Sequence, residues 1–263
     1  MTASDLAAEA RCAPAPARAI LRVEGADHAA FLQGLVTQDV ARVARDGIAY
    51  SALLSPQGKL LADFFLVQAD GAILIDAAEG VADDLVKRLS MFKLRSKVDL
   101  ARVDLPVTRG TGPAPAGALT DPRDPAMGWR LYGAALTQGE APVWDALRVA
   151  ARVPETGVEL QIGDSYILEM GFERLNGVDF RKGCYVGQEI IARMHHKTEL
   201  RRRLMQVHVS QPVPVGTQVL TADGKDAGNV FTQAGELGLA HLRVERAQGV
   251  LRAGDAQLEV TGD

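Results

Sequence analysis

Cys184 is the residue whose type and setting best suit chemistry. It lies in Arg181-Lys182-Gly183-Cys184-Tyr185-Val186-Gly187-Gln188-Glu189-Ile190-Ile191-Ala192-Arg193-Met194. Val186, Ile190, Ile191 and Met194 recur at helical spacing, which predicts a helix from about Tyr185. Cys184 would then stand at the helix N-terminal end, behind a glycine and two cations. Free backbone N–H groups, the helix dipole and Arg181/Lys182 all favour a thiolate over a thiol of ordinary pKa about 8.5. Such a thiolate is a nucleophile or a soft metal ligand. Gly183 would let the backbone approach a ligand, and Gly187 would keep the first turn unobstructed. The same spacing also describes a loop-to-helix junction around a buried, inert cysteine. His195 and His196 would lie about three turns along the helix, too far for a hydrogen-bonded Cys–His pair. Being adjacent, the two rings point about 100° apart and chelate poorly, so no metal site is expected.

The elements that must position this segment can be read from periodicity. Ile20–Val23 predicts a strand, and 26–35 a helix opening near Asp27. Strands are predicted at 48–54 and 60–67 around the turn Ser55-Pro56-Gln57-Gly58, then at 72–76 and 98–103. Val81, Leu85, Leu89 and Phe92 predict a helix over 81–92, and a further helix falls at 143–151. Asp63 sits in the run Leu60-Leu61-Ala62-Asp63-Phe64-Phe65-Leu66-Val67, on one face with Leu61, Phe65 and Val67. A carboxylate on an apolar face costs several kcal/mol unless it is paired or faces a ligand; on an edge strand it would instead block aggregation. Glu169, in Leu168-Glu169-Met170-Gly171, would lie on a short helix from about Asp164 to the glycine. It is either a solvated carboxylate or a second site residue.

Residues 1–18 read as a loose Pro/Ala-rich arm with Cys12 exposed, and 104–128 as a long exposed connection. Beyond Arg201, short β segments at 204–209, 217–220, 227–232, 237–242 and 256–260 predict a small barrel or sandwich. The interleaving lacks a Gly-rich dinucleotide loop, so the class is α+β. The expected domains are the arm 1–18, two interleaved α+β domains over 19–200, and a β domain over 201–263.

Composition narrows the function. The chain has 263 residues, with 29 basic side chains against 33 acidic, for a net −4. That balance argues against non-specific DNA or RNA binding, which needs a basic surface. Arg201-Arg202-Arg203 reads as a solvated face that could also hold a polyanionic tail by charge. No apolar run reaches the ~20 residues of a spanning helix. Two cysteines exclude a disulfide framework and a four-thiolate metal or iron–sulfur site built by one chain. They imply a reducing compartment, and an N-terminus carrying Asp5 and Glu9 points to the cytoplasm over a mitochondrial address.

Lys182-Gly183-Cys184-Tyr185-Val186-Gly187-Gln188-Glu189 resembles the K-G-C-Y-x-G-Q-E motif of the YgfZ family of folate-binding iron–sulfur assembly factors. Val23–Asp27 with Phe31–Val40, Tyr50–Lys59 and the closing β segments resemble that family too, so the similarity spans about 19–263 and is weakest over 104–160. The wider superfamily includes the glycine-cleavage T-protein, an aminomethyltransferase. The resemblance implies a ring of three small domains around a folate-binding opening, ending in a small β-barrel. It implies tetrahydrofolate as ligand, Asp63 and Glu169 as folate-side carboxylates, and Cys184 as the working thiol within the motif Lys182, Gly183, Tyr185, Gly187, Gln188 and Glu189. Partners would be iron–sulfur client or assembly proteins, and a cluster would be held only transiently. Asp63 matches the T-protein carboxylate beside the reacting folate nitrogen. Two other T-protein ligand positions are missing: Trp129-Arg130-Leu131-Tyr132-Gly133 has no acid, and an expected arginine falls at Gly163. The implied function is therefore an accessory factor in iron–sulfur assembly or repair, with folate-dependent aminomethyl or one-carbon transfer as the alternative.

Overall fold

The structure, a computed structural model, describes residues 10–197 and 199–262. By contact density these form two compact units, each discontinuous in sequence. The first contains the segments up to Leu54, Leu61–Pro142 and Leu175–Val186; the second contains Ser55–Leu60, Val143–Arg174 and Gly187 onward.

Unit one holds two antiparallel sheets. The larger has five strands in the order β3-β4-β5-β2-β6, made from β2 (Arg18–Glu24), β3 (Ile48–Leu54), β4 (Leu60–Ala69), β5 (Ala72–Ala78) and β6 (Asp99–Val103). Among the described residues the unit's helices are α1 (His28–Gln33), α2 (Ala41–Asp46) and α3 (Glu79–Lys93). Helix α3 buries Ala82, Leu85 and Leu89, and the two leucines join Leu21, Phe64 and Ile75 in one core. Covering the face of a sheet with an amphipathic helix is what removes both apolar surfaces from water.

The smaller sheet orders β1 (Arg11–Pro14), β7 (Val107–Thr111), β9 (Trp129–Tyr132) and β8 (Leu119–Thr120) as β1-β7-β9-β8. It corrects two expectations. Residues 11–14 of the predicted loose arm are a strand paired with β7, and Cys12 is buried; residues 1–9 lie outside the described residues. The predicted connection 104–128 contains β7 and β8, and Asp121 and Arg123 within it are buried. The polar composition of that stretch suggested exposure because each charge, taken singly, is costly to bury; buried together they pair (below).

In unit two, six strands close a barrel in the order β10-β13-β12-β11-β14-β15: β10 (Arg202–Val209), β11 (Gln218–Leu220), β12 (Asp226–Ala234), β13 (Leu237–Arg243), β14 (Leu251–Ala253) and β15 (Ala256–Gly262). Val207, Val219, Val230, Leu242 and Leu258 fill it, and closure removes the unpaired edges an open sheet would expose. Helix α4 (Trp144–Ala151) sits on the barrel, its Arg148 donating to Thr232 Oγ1 at 2.8 Å. Helix α5 (Gln188–Lys197) completes the unit.

Candidate functional site

The motif begins in a loop tied down by its own side chains. The Asp179 N–H donates to the Thr37 carbonyl at 3.0 Å. Asp179 Oδ1 accepts from the N–H groups of Arg181 and Lys182 at 2.7 and 3.2 Å. Thr37 Oγ1 donates to Gly177 O at 2.6 Å, and Gln38 Nε2 to Asn176 O at 2.7 Å. The Lys182 ammonium is buried and donates to three backbone carbonyls, Gln33 at 2.9 Å, Val36 at 2.6 Å and Gln38 at 3.0 Å. An ammonium has three N–H donors, so every one is used, on the last residue of α1 and the turn that follows it. Burial pushes this ammonium down to about 8, against the opposite pull of Asp39 and Asp179. Tyr185 is also buried, which pushes its phenol up to about 12.

Cys184 lies between these two anchors and is exposed. The inert, buried alternative is therefore set aside. The helical setting also needs correction. Helix α5 starts at Gln188, and Gly187 just ahead of it has φ +84. A left-handed residue cannot continue a right-handed helix, so Cys184 is outside the first turn, where the dipole is felt. Lys182 is likewise committed to carbonyls, so its role is to hold the loop. Gly183 has open space where a side chain would be. Glu189 is exposed and pairs with Arg193 at 3.0 Å. Gly58 meets α5 at close range: a Cβ there would stand 2.9 Å from Ile190 Cβ. The Ser55–Gly58 turn is thus shaped to pack under the helix that follows the motif.

Asp63 on β4 is 7% exposed, and Tyr50 Oη donates to its Oδ2 at 2.9 Å. The Tyr50 ring lies 5.4 Å from that of Phe65, whose own face is covered by Arg130 at 3.8 Å and Arg123 at 4.8 Å. Those guanidiniums belong to a buried charge network. Asp76 accepts from Arg18 Nε at 2.6 Å, Arg130 NH1 at 3.0 Å and Tyr132 Oη at 2.8 Å. Asp121 accepts from Arg123 at 3.0 and 2.8 Å and from Arg130 at 3.4 Å. Burial pushes both carboxyls up, and the arginines outweigh it: Asp76 ends below the ordinary range and Asp121 at about 2. Arg130 and Tyr132, in the segment where the T-protein pattern has an acid, are spent on joining the two sheets of unit one.

Glu169 is in unit two. The predicted helix from Asp164 to Gly171 is absent; the stretch is a series of turns, bridged at Tyr166 to Lys59. So short a segment has too few residues for a helix to persist without tertiary support, and here the backbone bonds go elsewhere. The Leu60 N–H donates to Ser165 O at 2.9 Å, and the Leu204 N–H to Glu169 O at 2.8 Å. The Glu169 side chain pairs with His241 Nε2 at 3.2 Å. Both line a cavity of about 450 Å³ together with Tyr166, Arg201, Phe231 and Arg243. The His195–His196 pair meets Glu173, at 3.1 Å from His195 Nε2.

The structure therefore groups Lys182, Gly183, Cys184 and Tyr185 on one anchored loop of unit one, which also carries Asp63. Gln188 and Glu189 belong to α5 of unit two, and Glu169 to a cavity of that unit. Sequence reasoning missed Tyr50, Thr37, Asp179 and His241. Tyr50 had a signal, since a hairpin about Pro56-Gln57 sets residue 50 across from the strand bearing Asp63. The others depend on contacts between segments far apart in sequence.

Comparison with known proteins places these features. Residues 201–262 match the family described as CAF17, C-terminal beta-barrel domain. The human protein named iron-sulfur cluster assembly factor IBA57, mitochondrial, is 33% identical over 282 residues, covering 89% of this chain and 78% of that one. The Mycosarcoma maydis homologue of the same name is 30% identical over 315 residues, covering 94% and 78%. In fold, the chain resembles glycine cleavage system aminomethyltransferase T from Bartonella henselae, with TM-score 0.78 and 15% identity over 96% of this chain and 85% of that one. The α+β class with a terminal β-barrel and a T-protein-like fold is thereby established. The cytoplasmic assignment is overturned, because the relatives are mitochondrial proteins. The cysteine count bears on redox state and does not name a compartment. Among the described residues, no helix is long and apolar enough to cross a membrane.

Proposed function

The chain belongs to the family of the IBA57 iron–sulfur cluster assembly factors, and from that premise we propose that it binds tetrahydrofolate and serves iron–sulfur protein assembly or repair through the Cys184 thiol, as in the YgfZ-type reading of its motif. The observation that carries the proposal is an exposed thiol on a loop immobilised from both sides, by the Lys182 ammonium and the buried Tyr185 ring. Iron–sulfur clusters take soft thiolate donors, and one thiolate can share or hand over a cluster but cannot hold it. Cys12, the other cysteine, is buried in β1 and is not placed to join it. The cluster is cargo in this account, and the remaining ligands come from an assembly or client protein. A cluster is ligated by the thiolate form of a cysteine.

Tetrahydrofolate fits the residues in part. Asp63 offers a buried carboxylate, oriented by Tyr50, that suits the N–H donors of a reduced pterin, and it would hold that ring. Bound there, the folate supplies nitrogen atoms able to carry a one-carbon unit. Glu169 would act with His241, to which it is paired. Aminomethyl transfer is the second reading, favoured by the T-protein-like carboxylate at Asp63. Against it stands the segment 129–133, which has no acid to grip a pterin and whose Arg130 and Tyr132 are committed to Asp76.

The test of the assembly role is depletion of this protein from its own cells. The activity and cluster content of iron–sulfur enzymes should fall, and re-expression should restore them. Unchanged cluster content after depletion contradicts the proposal. Turnover of an aminomethyl-lipoyl donor with tetrahydrofolate, above background, would favour the second reading.

A further inference from the structure

We propose that the C-terminal end of α3 is a docking surface for an acidic, amphipathic segment of a partner protein. The inner face of the helix is spent on the core through Ala82, Leu85 and Leu89. Its last turn and the residue after it leave Met91, Phe92 and Leu94 in solvent, 60%, 42% and 90% exposed. Single exposed apolar residues are ordinary; three large ones within four positions are not. Leu94 also has φ +41, a left-handed conformation that L side chains rarely adopt, and it holds an apolar side chain in water.

The charge around this patch is opposite to that of the molecule. Lys87, Arg88, Lys93, Arg95 and Lys97 fall between positions 87 and 97 with no acid among them, in a chain of net charge −4. Arg88 is held by Asp84 at 2.5 Å and Lys93 by Asp99 at 3.2 Å. Lys87, Arg95 and Lys97 are exposed, and no side chain of theirs is in an ion pair among the described residues. The nearby Asp27 uses its Oδ2 on the Lys97 backbone N–H at 2.7 Å.

Phe92, Leu94, Arg95, Ser96 and Asp27 line an open cavity of about 740 Å³. A cavity accepts an inserted side chain, as an interface anchor does. A lipid surface would call for a convex apolar wedge in place of a hollow. The occupant that fits is a protein segment with a large apolar anchor for the cavity and carboxylates for Lys87, Arg95 and Lys97. Nothing in this inference rests on Cys184 or on folate.

The test is fluorescence anisotropy with a labelled helical peptide carrying Leu at i, i+3, i+4 and i+7 and Glu elsewhere. Binding should be saturable and weakened by salt, which shortens the range of the charge attraction. The double variant Leu94→Ser/Arg95→Glu should bind at least about tenfold more weakly, and a peptide with Lys in place of Glu should not bind. Absence of saturable binding, equal binding by the double variant, or binding confined to phosphatidylglycerol vesicles would each overturn the proposal.

Discussion

The Lys182 ammonium donates to the Val36 carbonyl oxygen at 2.6 Å, across a gap of 146 residues in sequence. With its bonds to Gln33 and Gln38 it fixes the loop that presents Cys184. A charge was expected here to activate the thiol; it is used to hold the thiol in place.

Removing that ammonium leaves three buried carbonyls without their donor. Lys182→Met should destabilise the protein by about 3 kcal/mol, since breaking charged, buried hydrogen bonds from one side strands the partners. Urea unfolding is the check, as a lower midpoint at unchanged slope. A loss below about 0.5 kcal/mol, the range of ordinary surface substitutions, would show that the clamp contributes little.

The Asp76–Arg130–Asp121 network makes stability depend on acid. Asp121 has a folded-state pKa of about 2, below its unfolded value, and Asp76 is lowered as well. A depressed carboxyl contributes stability that is fully present above the unfolded pKa and is lost as pH falls through the folded one. The free energy of unfolding should therefore hold down to about pH 4 and then decline toward pH 2, by on the order of 2 kcal/mol for Asp121 alone. In Asp121→Asn that decline should be shallower, starting from a lower plateau. An unchanged slope would remove Asp121 from the account.

Asp63 should govern folate affinity. Calorimetric titration of tetrahydrofolate should show binding to the wild type and at least about tenfold weaker binding to Asp63→Ala, the scale of one lost charged hydrogen bond. Tyr50→Phe should weaken it less, because the carboxylate remains but loses its orienting donor. No binding by the wild type would remove folate from the proposal and leave the thiol role standing.

Much of this arrangement was legible from local pattern, and the rest was not for a physical reason. The alternation around Ser55–Gly58 and the helical spacing of Leu85 and Leu89 are read within one element, and β3, β4 and α3 follow from them. The β segments after Arg201 predict a small barrel or sandwich for the same reason, and β14 (Leu251–Ala253) is the strand they leave out. The small sheet was hidden because β1 gains its burial from β7, nearly a hundred positions away. Asp121 and Arg123 fall in a stretch that reads as an exposed connection, since only pairing among charges, here with Arg130 as well, makes their burial tolerable. At the candidate site, the motif and Asp63 stood out by residue type, whereas the use of Lys182 depended on three carbonyls at and just after the end of α1.

The central claim is that Cys184 is a working thiol, and its most direct test is replacement by alanine in cells that depend on this protein for iron–sulfur enzyme activity. Being exposed, the residue can be changed with little effect on the fold. The account predicts that Cys184→Ala accumulates to wild-type levels, keeps the wild-type affinity for tetrahydrofolate, and fails to restore iron–sulfur enzyme activity. Full restoration by Cys184→Ala would contradict it.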